Sequence, residues 1–163
     1  MISQNSGKYF RNWPAIRFWV LIPRHAPLSA RDERTRYLSF SCQPAACLFR
    51  INRIGIPDEL ADILSDPSVI KAGVAIHDDL RFLTGIRKFT PDGFIDLQKF
   101  VKEFGIKSSG LRKLAAIILG FRISKAQQIT DWEAGELSEA QIVYAATDAW
   151  VCYEIYSKLM NGR

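Results

Sequence analysis

The sequence predicts a layered α/β domain, and three features of the chain support this fold class. From Cys47 onward, short apolar runs with strand character alternate with longer amphipathic stretches, which is the pattern of a sheet covered by helices. Glycine and proline separate these runs at short intervals, as they do between regular elements. The 163 residues, 48% of them hydrophobic, suffice for one domain with its own core.

The first part of this regular region predicts two strands and two helices in alternation. Pro57 is placed to begin the first helix, and Asp66-Pro67 ends it. The next strand is a β-rich run containing Gly73, as expected of a buried strand. In chain order we expect a strand over residues 47–51, a helix over 57–64, a strand over 69–76 and a helix over 78–83.

The second part predicts one more strand and three helices. Gly120 is well placed to stop the second of these helices. The last helix is the best defined, because Ser138 and Gln141 form a capping box ahead of it. In chain order we expect a strand over residues 94–97, a helix ending near Gly105, a helix over 111–119 and a helix from 138 to about 160.

The N-terminal part differs from the rest, so we divide the chain into an anomalous segment over residues 1–46 and a domain over 47–163. The N-terminal segment follows neither a strand period nor a helical period. Residues 1–50 hold eight Lys or Arg against two Asp or Glu, whereas residues 51–163 hold fourteen against fifteen. The net charge of +5 therefore comes from the first third, and by itself it is weak support for nucleic-acid binding.

The cysteines and the apolar runs argue against the secreted and membrane classes. Cys42, Cys47 and Cys152 are odd in number and lack metal-ligand spacing, so we expect reduced thiols in a cytoplasmic protein. No apolar run approaches the length of a membrane span, and we expect no signal peptide. Nothing in the sequence specifies an oligomeric state.

Two carboxylates are candidates for chemistry, and the first of them is Asp79. It follows the strand expected over residues 69–76, where that strand passes into a helix. A carboxylate there projects from the carboxyl end of a strand, the edge at which α/β folds place their sites. The structural alternative for Asp79 is an N-cap, a common role of aspartate near a helix start.

The second carboxylate is Asp148, which lies four residues after Tyr144 in the last helix. The two side chains share one helix face, which continues through Val151, Ile155 and Leu159 as an apolar stripe. A carboxylate in an apolar stripe needs a partner, because burying it alone is costly. That partner is either a metal ion or the side chain of a Lys or Arg.

The segments around the two carboxylates form longer motifs. Asp79 belongs to residues 73–83, and Tyr144 and Asp148 belong to residues 137–149, which follow an approach over 111–120 and Asp131-Trp-Glu. These segments resemble the second and third motifs of the DEDD-type 3′→5′ exonucleases, such as ribonuclease D and the Werner-type exonucleases. The resemblance covers Cys47 to Leu159, and it is to the subclass with Tyr rather than His. It implies a ribonuclease H-like fold with three α/β/α layers.

The resemblance also implies a chemistry for the site. In this family, four carboxylates hold two divalent ions against the terminal phosphodiester at the 3′ end of a single-stranded nucleic acid. By similarity, Asp79 and Asp148 would be metal ligands and Tyr144 would orient the attacking water. Carboxylate ligands suit Mg²⁺ or Mn²⁺ better than Zn²⁺. We expect structural and not catalytic roles for three nearby polar residues. Asp78 should cap a helix, Asp96 should lie at a strand end, and His77 should lie in a loop.

The other two ligands should come from an Asp-x-Glu motif on a first strand, and residues 1–50 contain none. Asp32-Glu33 cannot replace it, because adjacent strand residues face opposite sides of a sheet. We read the DNA of residues 18–27 in a shifted frame, in which each new codon starts at the third base of a codon for the printed sequence. In that frame the codon that spans Phe18 and Trp19 must encode Leu, and the codon that spans Trp19 and Val20 must encode Gly. The remaining codons permit Phe-Asp-Thr-Glu-Thr-Arg-Pro, which completes a string that resembles the family's first motif.

The same shift lets residues 36–43 encode Val-Ser-Leu-Leu-Gln-Leu-Ser, a good strand. We therefore hypothesise that residues 1 to about 46 are read out of frame, so that the N-terminal strands of the ribonuclease H-like fold are missing or garbled. Two carboxylates cannot readily hold two metals, and we expect an impaired exonuclease. The alternatives are an inactive nucleic-acid-binding pseudoexonuclease and a purely structural α/β protein.

Overall fold

The computed structural model describes residues 37–42, 45–108, 110–124, 126–127 and 130–162. Strands and helices alternate along these residues, which confirms the mixed α/β class. The strands are β1 (Tyr37–Cys42), β2 (Ala45–Arg50), β3 (Lys71–Gly73) and β4 (Phe94–Asp96). The helices are α1 (Ile51–Ile54), α2 (Asp58–Ser65), α3 (Ile76–Ile86), α4 (Leu97–Phe100), α5 (Leu111–Leu114) and α6 (Glu139–Asn161).

The described strands form two pairs. β1 and β2 make an antiparallel hairpin in which Tyr37 lies opposite Arg50. β3 and β4 run parallel, with Gly73 opposite Asp96, and α3 lies between them in the chain. Because the two strands are parallel, their carboxyl ends lie at the same edge of the pair. Both chain segments that leave this edge begin a helix, either at once or after a short turn.

The hairpin supplies a strand within residues 1–46, to which the sequence pattern assigned no element. Strand β1 lies wholly within the segment expected to be anomalous, and β2 begins two residues before Cys47, at Ala45. Apolar residues at positions 38, 40 and 42 alternate with Ser39 and Ser41. This alternation is the period of a strand, and it is present in the chain as translated. Strand formation here therefore does not require the shifted reading.

The longest helix, α6, lies against both strand pairs. It packs on β1, β2 and β3, and its buried face includes Ala149, Val151, Cys152 and Ile155, each at most 1% exposed. Helices α4 and α5 pack into the same core through Leu97 and Leu114. The capping box expected at its start is present: the Ser138 hydroxyl accepts from the Gln141 amide, and the Gln141 side chain accepts from the Ser138 amide. The prediction of this helix is confirmed.

A second cluster of buried residues joins α2, α3 and the start of β3. It contains Leu60, Leu64 and Leu83, together with the buried ammonium group of Lys71. Lys71 Nζ donates to the carbonyl oxygens of Ile63 at 3.0 Å and Asp66 at 2.7 Å, and it lies 5.1 Å from the centre of the Phe94 ring. Lys71 thus connects the end of α2 to the parallel strand pair.

Gly93 makes room for this lysine. Its φ of +67° lies in the left-handed region, and a Cβ there would lie 2.5 Å from the Val69 carbonyl oxygen and 3.1 Å from Lys71 Nζ. Real Cβ atoms do not approach a backbone oxygen so closely, and side chains rarely adopt that φ. The turn before β4 therefore needs glycine at this position.

Two helices end differently from simple α-helices. α4 continues as a 3₁₀ turn over Val101–Phe104, and α5 continues as a π-helical turn over Ala115–Leu119. Both segments then end at glycines with left-handed conformation, Gly105 and Gly120, as expected from the sequence. No helix in the described part of the chain is long and apolar enough to cross a membrane.

Strand β3 is shorter than expected. The sequence predicts a strand over residues 69–76, but only Lys71–Gly73 pair with β4. The strand ends early because Ala75 adopts a left-handed conformation, with φ 57° and ψ 41°, and α3 begins at Ile76. α3 also continues beyond the expected end, to Ile86. β-branched residues favour strands, but here Ile76 faces the core from a helix.

Candidate active site

Asp79 lies in the first turn of α3, close to the carboxyl end of β3. Only two residues, Val74 and Ala75, separate β3 from this helix. The Asp79 side chain is 3% exposed, whereas Asp78 beside it is exposed. The position of Asp79 at the strand edge agrees with the expectation from the sequence, and it places a buried carboxylate where α/β folds bind ligands.

Three expectations about this segment are corrected. Ala75, without a side-chain hydrogen bond, occupies the N-cap position of α3, so Asp78 is not the helix cap and the N-cap alternative for Asp79 is wrong. His77 lies within α3 and not in a loop. The helix starts earlier than expected because the left-handed residue Ala75 turns the chain directly after β3, before either aspartate is reached.

Asp148 lies in the middle of α6, on the face that is turned toward the core. It is 6% exposed, and Val151, Cys152 and Ile155 on the same side of the helix are buried. Burial, and next the nearby charge of Asp148, raises the pKa of the Cys152 thiol well above its usual value. The helix therefore holds the carboxyl group of Asp148 and the thiol of Cys152 one turn apart on its buried side.

Tyr144 lies one turn before Asp148 and is half-buried. Its ring packs against Trp132, with 6.3 Å between ring centres and an angle of 50° between ring planes. Trp132 is 6% exposed, and its indole Nε1 donates to the Gln127 carbonyl oxygen at 2.9 Å. Sequence reasoning did not identify Trp132 as the neighbour of Tyr144. Its position in the approach to the third motif was the available signal.

Arg50 fixes the loop that carries Trp132. At the end of β2, its guanidinium donates to the Gly135 carbonyl at 2.7 Å and to the Ala134 carbonyl at 2.6 Å. Gln141 supports the same loop from α6, because its side-chain amide donates to the Asp131 carbonyl at 2.8 Å. The loop before α6 is thus anchored both to β2 and to α6. No pattern in the sequence predicted the contact of Arg50, which joins residues far apart in the chain.

Asp96 links the two parallel strands at the edge where Asp79 lies. Its Oδ1 accepts from the Gln98 amide at 2.9 Å, as the N-cap of α4, and from the Ala75 amide at 3.4 Å. The expected structural position at a strand end is confirmed. The contact with Ala75 adds a constraint on the left-handed turn that precedes α3 and Asp79.

The structure attaches both candidate carboxylates to elements that meet at β3. Asp79 follows β3 in the chain, and α6, which carries Tyr144 and Asp148, packs on β3. Carboxylates are the ligands that Mg²⁺ and Mn²⁺ prefer. Within the described ranges, however, no three His, Cys, Asp or Glu side chains are grouped so that they could hold a metal ion. These residues do not supply the four carboxylates of a two-ion site.

Comparison with known families identifies the family of this chain. A model of the 3′-5′ exonuclease family matches residues 25–162, which include both strand pairs and all six helices. The chain belongs to this 3′–5′ exonuclease family. The resemblance to the DEDD-type exonucleases is thereby confirmed, and divalent metal ions are used by exonuclease domains of this family.

Individual relatives agree with the family match. The exonuclease chain is 35% identical over 126 residues to Exonuclease 3'-5' domain-containing protein 2 of Drosophila melanogaster, an alignment that covers 75% of this chain and 22% of the relative. It is 34% identical over 113 residues to ribonuclease D of Escherichia coli, and this alignment covers 68% of the present chain and 30% of the relative. The chain therefore spans less than a third of the length of these curated relatives.

Solved structures confirm the ribonuclease H-like exonuclease fold. The crystal structure of Escherichia coli ribonuclease D superposes with a TM-score of 0.76 at 28% identity, covering 90% of this chain and 39% of that one. The complex of Trypanosoma brucei ribonuclease D with RNA U12 superposes with a TM-score of 0.73 at 18% identity, covering 89% and 55%. The match begins at residue 25, and the domain boundary expected at residue 47 stays a prediction.

Proposed function

We propose that this exonuclease-family chain acts on the 3′ end of single-stranded nucleic acid and hydrolyses terminal phosphodiesters. The observation that carries the proposal is the family match over residues 25–162, together with two buried carboxylates at elements that meet at β3. Asp79 and Asp148 are buried carboxyl groups, as metal ligands of this kind are. The nucleic-acid substrate is supported by the Trypanosoma brucei ribonuclease D of the same fold, which was solved with RNA.

Each site residue has a role in this proposal. Asp79 and Asp148 would hold a divalent ion, Mg²⁺ or Mn²⁺, and such an ion would supply Lewis-acid chemistry toward the scissile phosphodiester. Tyr144, held by its contact with Trp132, orients the attacking water through its hydroxyl, and this role assigns the chain to the Tyr subclass. Trp132 and Arg50 keep the start of α6 in place, so they act as positioning residues for Tyr144.

We further propose that the chain as translated is impaired. An Asp-x-Glu motif is absent from residues 1–50, and two carboxylates leave a two-ion site half complete. The shifted reading of the codons for residues 18–27 restores such a motif. We infer a cytoplasmic location from the cysteines, because Cys152 is a buried free thiol and the odd number of cysteines is typical of a reducing compartment.

The test compares two versions of the chain. Sequencing of codons 17 to 47 gives the amino acids encoded in the shifted frame. The chain with that sequence is then assayed in parallel with the chain as translated. The substrates are 5′-labelled single-stranded DNA and RNA, and the buffer contains Mg²⁺ or Mn²⁺. We expect stepwise shortening from the 3′ end only with the shifted reading, and its loss after Asp148→Asn. If both versions cleave at similar rates, impairment is wrong. If neither version cleaves, the exonuclease proposal is wrong.

A second function, nucleic-acid binding without catalysis, is favoured by a specific observation on the helices after β4. The Lys and Arg side chains of α4, α5 and their extensions are all exposed. Binding to such a surface does not need a metal ion. The result expected for this second function is that the chain as translated binds single strands in EDTA and does not cleave them when Mg²⁺ or Mn²⁺ is supplied in excess.

A further inference from the structure

The segment over residues 97–124 concentrates positive charge on one part of the molecule. It holds six Lys or Arg against one acidic residue, Glu103. The flanking stretches over 50–96 and 126–162 hold seven basic against fourteen acidic residues. The basic surplus of the segment is therefore not an average property of the chain. Its six basic residues, called the basic layer below, are Lys99, Lys102, Lys107, Arg112, Lys113 and Arg122.

The packing of the segment turns these side chains outward. Leu97, Val101 and Leu114 are fully buried in the core under α6, and all six members of the basic layer are exposed. Arg112 Nε donates to the Ile123 carbonyl at 2.9 Å, which holds α5 beside the chain that follows it. The helices thus bury apolar side chains in one core and turn cationic side chains outward.

The basic layer begins at the strand edge that carries Asp79. α4 starts at Leu97, directly after Asp96, and the Asp96 carboxylate contacts the Ala75 amide just before α3. A nucleic-acid strand whose end lies at this strand edge could extend along the cationic side chains of α4 and α5. No such surplus of positive charge occurs in the flanking stretches.

An aromatic pair, of which Phe121 is half-buried and Trp150 exposed, lies at the far end of the layer. Phe121, next to Arg122, stacks on Trp150 of α6 with 5.8 Å between ring centres and 17° between ring planes. Trp150 is 38% exposed, and it points away from the side of α6 that buries Asp148, since the two residues are two positions apart. Cationic side chains beside an accessible aromatic face are the combination that binds phosphates and stacks bases in single strands.

We propose that the basic layer, with the Phe121–Trp150 pair at its end, is the surface that binds the backbone of a single-stranded nucleic acid. The proposal deepens the proposed function, because it names the path of the strand whose 3′ end reaches the site. The proposal rests on the proposed function only in one respect, namely that the 3′ end of the strand is the end that points to the candidate active site. Binding itself needs phosphate charge and base stacking, and neither requires the metal ion.

The experiment measures binding in EDTA, so that a failure of catalysis does not affect it. Fluorescently labelled oligothymidine and oligouridine are titrated with the chain at several salt concentrations. The variant Lys102→Glu/Lys107→Glu/Lys113→Glu is compared with Arg53→Glu/Lys88→Glu/Lys158→Glu. The control variant has the same change in net charge, and its residues are also exposed but lie outside the basic layer.

We expect the variant in the basic layer to lose at least tenfold in affinity and the control variant to lose less than threefold. The slope of log affinity against log salt should fall by about 2 in the first variant, because each lost contact with a single strand changes it by about 0.7. Equal losses in the two variants, or no loss in the first, would overturn the proposal, since net charge alone would then explain binding.

Two further measurements identify the partner. Trp150→Ala should weaken oligonucleotide binding at least fivefold, because a stacked base loses its platform, while leaving the thermal midpoint within a few degrees. Polyglutamate should compete poorly. If polyglutamate displaces the oligonucleotide as well as unlabelled oligonucleotide does, the layer binds acidic polypeptides and the proposal fails. Cleavage by the chain with the shifted reading is a separate result, which tests the proposed function alone.

Discussion

Asp148 shows how one residue can be adverse for folding and useful for binding. Its carboxylate lies in the apolar stripe of α6 at 6% exposure, where the charged form is costly unless a partner stabilises it. Burial, and next the charge of Asp148, raises the pKa of the Cys152 thiol one turn further along α6. A divalent ion would offset this cost.

We expect Asp148→Asn to separate binding from stability. The variant should lower the affinity for Mn²⁺ at least tenfold while leaving the thermal midpoint within a few degrees, because asparagine keeps the shape of the side chain and removes the negative charge that binds a cation. Titration calorimetry and a thermal melt measure the two quantities. Asp62→Asn, at an exposed position of α2, is the control that should change neither. A clear loss of stability with unchanged Mn²⁺ affinity would assign Asp148 a structural role.

Lys71 provides a test at another residue. Burial lowers the pKa of its ammonium group from 10.5 to about 8, against the raising effect of Asp66 and Asp92. Between these two pH values the unfolded chain keeps a proton that the folded chain has released, so stability should rise with pH in that window. We expect a gain of about 2 kcal/mol in the free energy of unfolding.

Urea denaturation at intervals from pH 7.5 to pH 10 measures this gain. The matched variant Lys71→Met cannot titrate, so its curve subtracts the contributions of all other groups. The gain should be present in the unsubstituted chain and absent from the variant. Parallel curves for the two proteins would show that the buried ammonium keeps its ordinary affinity for protons.

At the scale of elements, the turn between β3 and α3 depends on a side chain from β4. Asp96 accepts from the amides of Gln98 and Ala75, and Ala75 is the one non-glycine residue with positive φ in the described ranges. We expect Asp96→Ala to destabilise the fold by about 1–3 kcal/mol, because both amides lose an acceptor. Asp96→Asn keeps an acceptor oxygen and should restore most of the loss.

Chemical denaturation gives the two stability differences, and amide hydrogen exchange locates them. Exchange should accelerate at Ala75 and in the first turn of α3 in the alanine variant more than in α6. If the asparagine variant is as unstable as the alanine variant, the hydrogen bonds are not the cause of the effect.

The elements also show which features the sequence could predict. Helix limits set by local chemistry, such as the capping box at Ser138 and the glycine stops at 105 and 120, follow from adjacent residues and are confirmed. The length of β3 and the conformation of Ala75 depend on a neighbour more than twenty residues away, so local patterns could not give them. The same holds for the contact of Arg50 with the loop before α6.

At the scale of the molecule, the fold class was predictable because the alternation of elements covers most of the chain. The strand expected over residues 47–51 is found as β2, whereas β1 was not predicted. Residues 38–42 alternate as a strand should, but the segment before them follows no strand or helical period. Of the site, the sequence gives the two carboxylates and Tyr144 as candidates. It does not give Trp132 and Arg50, since their contacts arise only when the loop before α6 folds back.

We expect the chain as translated to be marginally stable and prone to aggregation. Exposed apolar side chains such as Ile117 (58%), Val143 (56%) and Ile142 (47%) give it surface that favours association. The chain with the shifted reading should be monomeric and should melt at least 10 °C higher, as light scattering and calorimetry can measure. A cooperative melt from a soluble monomer of the chain as translated would contradict this expectation.

The position of α6 has a consequence for how the molecule opens. In the described part of the chain, the two strand pairs share no ladder of hydrogen bonds, and α6 packs on both. Their mutual position therefore depends on the middle turns of this helix. Amide protons around Ala149 to Ile155 should exchange only through global unfolding, whereas the β1–β2 hairpin can fray first. A break in the peptide chain within those turns would free both strand pairs at once, so the helix joins into one cooperative unit two strand pairs that share no hydrogen-bond ladder in the described residues.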